Sequence, residues 1–162
     1  MKPYIVSGGM LLLLMVESAH SSNVISHTFA PQITLFNDSV SESIEIQAPQ
    51  LSFVTPYSHK EQSFSQLTVP FDVVSLSGAA VDYRLSLPIS MHFCESSGAE
   101  ATPLNGVSVK LDNQTWPSLE DAPFHSARGK HFMTISYPMI TQSEVNQFCY
   151  GTLGVQVENV TL

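Results

Sequence analysis

Apolar and polar positions alternate with a period of two along most of the chain. Ile33 and Leu35 alternate with polar neighbours, as do Ile44 with Ile46 and Leu51 with Phe53. The pattern continues through Leu67 to Val74, Tyr83 to Leu87, Val107 to Leu111, Phe132 to Tyr137 and Leu153 to Val157. Such alternation puts every second side chain on one face of an extended strand, so each run predicts a strand with one buried face. Turn signals separate the runs: Ser77-Gly78, Ser97-Gly98, Asn105-Gly106, Asp112-Asn113 and Arg128-Gly129. No stretch keeps a helical period for three turns, and the best helical segment is a turn or two over Ser143 to Phe148. Prolines 70, 88, 117 and 138 lie within or beside the runs, where a missing N–H suits edges, bulges and crossings between sheets. Short strands at turn-length spacing predict an all-β fold, an immunoglobulin-like antiparallel β-sandwich in one domain.

The first residues break this pattern. Lys2 precedes the apolar run Met10 to Val16, and Ala19-His20-Ser21 offers small residues at the cleavage positions. That layout predicts a secretory signal over 1–21, removed after Ser21. Seven uninterrupted apolar residues before Glu17 fall far short of the roughly 18 a membrane-spanning helix needs. The expected organisation is therefore a signal (1–21), an N-terminal extension (22–35) and one β-domain (36–162), exported and not membrane-spanning.

Composition narrows the partners. Six Lys and Arg against fourteen Asp and Glu give a net charge of −8, and only 12% of residues are charged. So few scattered cations cannot build a phosphate-binding surface, which excludes nucleic acid as an expected partner. Fifteen aromatic residues and 43% hydrophobic content argue against disorder.

Cys94 and Cys149 are 55 positions apart. In an exported protein an even, minimal count predicts one disulfide, worth about 3–4 kcal/mol by the chain-entropy estimate. The other reading is two buried free thiols. Neither cysteine has metal-ligand spacing, and no HxH or HExxH occurs, so no metal and no cofactor are expected. His125 and His131 flank Arg128-Gly129-Lys130 and read as residues of an exposed loop. No GxSxG elbow is present, and the pair Glu120-Asp121 reads as solvated; no catalytic residue and no enzyme activity are expected. Sequons begin at Asn37, Asn113 and Asn159. Trp116 reads either as a stacking platform for a carbohydrate or as a core residue capping a turn.

Two stretches carry a resemblance. Tyr83-Arg84-Leu85-Ser86-Leu87-Pro88, a Ser-Gly loop and Pro103 to Gln114 look like the mid-domain hairpin of fimbrial subunits assembled by the bacterial chaperone–usher route. Tyr150-Gly151-Thr152-Leu153-Gly154-Val155-Gln156-Val157-Glu158-Asn159-Val160 is similar to their final strand. Here the cysteines lie in the middle and at the end, whereas type 1 and P pilins carry them in the first third. That departure resembles a different branch, the alternate-chaperone (CS1/common-pilus-like) group, or a minor subunit. The usual terminal aromatic is also missing.

The resemblance implies an incomplete sandwich finished by donor-strand exchange. Its partners would be a periplasmic chaperone, an usher, neighbouring subunits and a host glycan or protein receptor. The subunit would pass through the periplasm to a surface fimbria and mediate attachment. The segment Ser22 to Leu35 has the form such a donor strand needs: Ile25, His27, Phe29, Pro31, Ile33 and Leu35 fall on one face, Ile25, Phe29, Ile33 and Leu35 being the donor-strand candidates, with no Asp, Glu, Lys or Arg from Ser22 until Asp38. The same segment also reads as an ordinary first strand. Leu153, Val155 and Val157 are the final-strand positions expected to face the inserted segment. The competing reading of the whole chain is a free-standing secreted β-sandwich that binds a glycan or protein ligand, in a eukaryotic setting a glycoprotein.

Overall fold

A computed structural model describes residues 27–37, 44–116, 122–141 and 145–160. The signal segment, Ile25, and Glu120 with Asp121 lie outside them. Among the described residues there is no helix, and two sheets pack face to face as a β-sandwich. The strands are β1 (His27–Asn37), β2 (Ile44–Gln47), β3 (Thr55–Ser58), β4 (Ser63–Phe64), β5 (Leu67–Ser75), β6 (Val81–Ser96), β7 (Thr102–Pro103), β8 (Ser108–Leu111), β9 (Gln114–Thr115), β10 (Phe124–Ser126), β11 (Arg128–Ser136) and β12 (Gln147–Asn159).

The larger sheet has the order β10-β6-β12-β1-β3-β4, with β7 added to β6; the smaller has β2-β5-β11-β8-β9. Among the described residues every strand pairing is antiparallel except one: β1 runs parallel to β12, in register from His27 opposite Gln147 to Asn37 opposite Val157. The main core between the sheets holds Ile44, Val69, Phe71, Val73, Tyr83, Leu85, Leu111, Met133, Ile135, Leu153, Val155 and Val157. These are the alternating positions of the predicted strands, which is why each strand buries one face.

The turn chemistry is local. Asp112 and Asn113, both with positive φ (51° and 66°), form the two-residue loop joining β8 to β9, the geometry a right-twisted hairpin favours. Pro88 lies in the stretch of β6 where its register with β12 shifts, between the pairs Ile89–Gly154 and Ser86–Gln156. A ladder there is already interrupted, so the missing N–H costs little.

Several expectations need correction. Leu51 to Phe53 is not a strand; Leu51 is exposed, and only Ser52 makes an isolated bridge, to Gln32. Gln147 and Phe148 are not helical but open β12, held there by pairing with Ser96 and Glu95; residues 143–144 lie outside the described set. Arg128-Gly129 is not a turn but the start of β11, and His131 is buried rather than in an exposed loop. The reason is a packed polar network. Tyr83 Oη and His131 Nε2 are 2.8 Å apart, and His131 Nδ1 lies 2.8 Å from an Asp112 carboxylate oxygen. The carboxylate accepts from Nδ1–H, which leaves Nε2 to accept from the Tyr83 hydroxyl. The other Asp112 oxygen accepts from the Phe132 N–H at 2.8 Å. Gly129 is what lets Tyr83 reach in, since a Cβ there would stand 1.8 Å from Tyr83 Oη. Burial, and then the Asp112 charge, raises Tyr83 to about 12.

Candidate functional site

The segment singled out as an insertable strand is β1, and it sits in a slot of the larger sheet. On one side it pairs with β12; on the other it pairs with β3 through Thr28–Pro56 and Phe29–Thr55. Past the end of β3 the backbone contacts continue: Ile33 N–H donates to Leu51 O (2.9 Å) and Phe53 N–H to Pro31 O (3.1 Å). Pro31 therefore uses its carbonyl where it has no N–H to offer.

The side chains explain why this segment fits. Phe29, Pro31, Ile33 and Leu35 point inward and stand opposite Cys149, Gly151, Leu153 and Val155. Phe29 is wholly buried, Pro31 is fully buried, Ile33 is buried and Leu35 half-buried. Outward from the same strand stand Ala30, half-exposed, and Gln32 and Thr34, both exposed. Burying Phe29 and Ile33 stabilises the seated strand by about 1.5–3 kcal/mol each. Leu153, Val155 and Val157 are completely buried, facing the core beside β1.

Phe29 anchors a second, smaller core. Its ring lies 4.5 Å from Tyr137 in an edge-on arrangement and 5.3 Å from Phe64, with His92 at 6.0 Å. Cys94, Cys149 and Ile140 complete the cluster. Two buried polar atoms here have no hydrogen-bond partner among the described residues: His92 Nδ1 and Tyr137 Oη. Burial lowers the His92 pKa below its ordinary value and raises that of Tyr137. His92 presses on β12 so closely that position 151 must be glycine, because a Cβ there would lie 2.3 Å from His92 Nδ1.

The disulfide forms the floor of this cluster. Cys94 on β6 and Cys149 on β12 are register partners with Cα atoms 4.0 Å apart, bonded as expected, so the free-thiol reading falls. The bond ties β12, the strand β1 leans on, to its other neighbour.

The remaining candidates sit apart from the slot. The Trp116 indole is half-buried against the main core, and its Nε1 has no hydrogen-bond partner among the described residues. His125 is exposed on β10, 2.7 Å from Asp82. No cluster of metal-ligating side chains occurs among the described residues, and no helix there is long and apolar enough to cross a membrane. Sequence reasoning placed Pro31 on the same face as Phe29 and Ile33, where the structure has it; it missed the Tyr137–Phe64–His92 ring pocket, which is assembled from three distant segments. No family model matches this chain, and no curated protein matches it significantly.

Proposed function

We propose that this chain is a structural or adhesive subunit of a surface fimbria, built by donor-strand exchange and mediating cell attachment. One observation carries the reading: an uncharged, alternating strand, β1, fills a slot between β12 and β3 and supplies Phe29, Pro31 and Ile33 to the core. It is the same segment whose pattern suits insertion into a neighbour. A slot that binds its own β1 through side-chain pockets and a backbone ladder would bind the β1 of a second copy by the same contacts. A heterologous exchange of that kind gives open chains of subunits. A periplasmic chaperone, an usher and neighbouring subunits are the partners this function requires, and the route runs through the periplasm to the cell surface. The disulfide suits such an oxidising route.

The second reading, a free-standing secreted β-sandwich binding module, is favoured by the length of the internal pairing, which matches β1 to β12 from His27 to Asn37. The two readings differ over the slot. The test is to refold a chain beginning at Phe36, with and without a synthetic peptide covering Ser22 to Leu35. The proposal expects aggregation alone and a soluble one-to-one complex with the peptide. A truncated chain that is monomeric, cooperatively folded and indifferent to the peptide would eliminate donor-strand assembly.

A further inference from the structure

The outer face of the larger sheet carries a row of aromatic side chains that the β1 slot does not use. Cys149 points inward from β12, so Phe148 and Tyr150 point outward; Phe93, beside Cys94, points outward from β6. The register through the disulfide sets Tyr150 opposite Phe93 and Phe148 opposite Glu95. The Phe148 and Tyr150 rings lie 5.7 Å apart at 29°, and the Phe93 and Tyr150 rings 5.9 Å apart at 30°. Near-parallel planes at those separations are offset stacks, each ring bracing the next.

Phe148 ends the row and is 42% exposed. It forms one wall of an open cleft of about 380 Å³, whose other walls include Glu95, Ser96, Ser97, Asn146 and Gln147. The walls are held by short backbone bonds, Ser97 N–H to Asn146 O (3.2 Å) and Ala99 N–H to Ser96 O (2.9 Å). Gln147 Oε1 is buried and has no hydrogen-bond partner among the described residues. The size is that of a small-ligand site, and the lining is one aromatic wall, Phe148, among polar and small side chains.

The charges select the ligand. Among the described residues no Lys or Arg lines the cleft and Glu95 is the one ionisable side chain there; the chain carries net −8, so an anion is repelled. A cation would want aromatic faces converging on it, whereas these rings stand in a row and only Phe148 borders the cleft. Both sides of β12 are paired, by β6 and β1, so a peptide has no open edge to extend here. What fits an aromatic wall beside carboxylate, amide and hydroxyl groups is a molecule with a C–H face and a rim of hydroxyls. We propose that this cleft binds a neutral saccharide. Phe148 packs against the C–H face of a sugar ring, and the Glu95 carboxylate, which stands opposite Phe148 in the ladder, accepts hydrogen bonds from its hydroxyls. The proposal goes beyond the assembly reading and does not rest on it, because no residue lining the cleft belongs to β1 or to the cluster around Phe29.

The experiment titrates the folded, disulfide-bonded chain with lactose, maltose, mannobiose and chitobiose, read by saturation-transfer NMR and calorimetry. At least one is expected to bind at millimolar concentration or below. Phe148→Ala should weaken that binding about tenfold or more, as loss of an aromatic anchor does. Phe148→Tyr should keep it, Glu95→Gln should weaken it several-fold, and Trp116→Ala should leave it unchanged. Phe148 is exposed enough that its substitution spares the fold, which near-UV dichroism checks. Absence of binding by all the disaccharides, binding indifferent to Phe148→Ala, or binding lost in Trp116→Ala instead would each overturn the proposal. None of those results touches the β1 complementation experiment.

Discussion

Phe29→Ala is the perturbation that tests how β1 is held. The ring is completely buried and packs on Tyr137 and Phe64, and its removal leaves a cavity bounded by the disulfide. A buried Phe→Ala change costs about 3–5 kcal/mol when the surroundings cannot collapse, and a covalent floor makes collapse difficult. Each aromatic pair lost accounts for about 0.5–1.5 kcal/mol of that. Against a total stability of about 5–15 kcal/mol the loss is large. Leu35→Ala, half-buried, should cost less, and Thr34→Ala, exposed on the same strand, should stay within about 0.5 kcal/mol. Urea denaturation followed by circular dichroism gives the three midpoints. Native-state hydrogen exchange adds the location: in Phe29→Ala, amides of β1 and of β12 facing it should exchange faster, while those between β5 and β11 keep their protection. A loss below about 1 kcal/mol, or equal deprotection in both sheets, would refute the reasoning that Phe29 pins β1.

Three further outcomes follow from the same packing. Gly129→Ala should destabilise by about 2 kcal/mol or more, because its Cβ collides with Tyr83 Oη and breaks the buried bond to His131; a melting temperature unchanged from the parent contradicts this. Reducing the Cys94–Cys149 bond should cost about 3–4 kcal/mol in denaturant titrations, and a cost under about 1 kcal/mol would remove it from the account. Burial lowers the His92 pKa from its ordinary 6.5, so its neutral form's contribution is complete above pH 6.5 and is lost as pH falls below that value. His92→Gln should flatten the acid limb of the stability profile, and an identical limb in both proteins would exclude His92 as its source.

The strands were legible because their faces are. Val69, Phe71 and Val73, or Leu153, Val155 and Val157, alternate so cleanly that only one face could enter a core. The disulfide was legible from the cysteine count. The His131 environment was not: a His beside Arg, Gly and Lys looks like a loop until Tyr83, 48 positions away, and Asp112 arrive to satisfy both ring nitrogens. Gly129 misled for the same reason, since it serves a close approach rather than a turn. The alternation in residues 25–35 identified a strand with one apolar face, yet a pattern local to β1 carries no information on which strands flank it. The aromatic row was readable only in retrospect. Once Cys94 pairs with Cys149, antiparallel register forces Phe93 against Tyr150 and Phe148 against Glu95.

The central claim is that the β1 of one copy can fill the slot of another. The most direct measurement mixes a tagged acceptor chain beginning at Phe36 with an untagged donor chain that retains residues 22–162, refolds them together, and weighs the products by native mass spectrometry. Free peptide covering Ser22 to Leu35 serves as the control that the acceptor slot is competent. Exchange predicts one donor bound per acceptor, and loss of that complex when the donor carries Phe29→Glu, whose charge cannot be buried beside Tyr137 and Phe64 without a cost of several kcal/mol. An acceptor that takes the free peptide but never a donor chain would show that β1 serves only its own sheet, contradicting the claim.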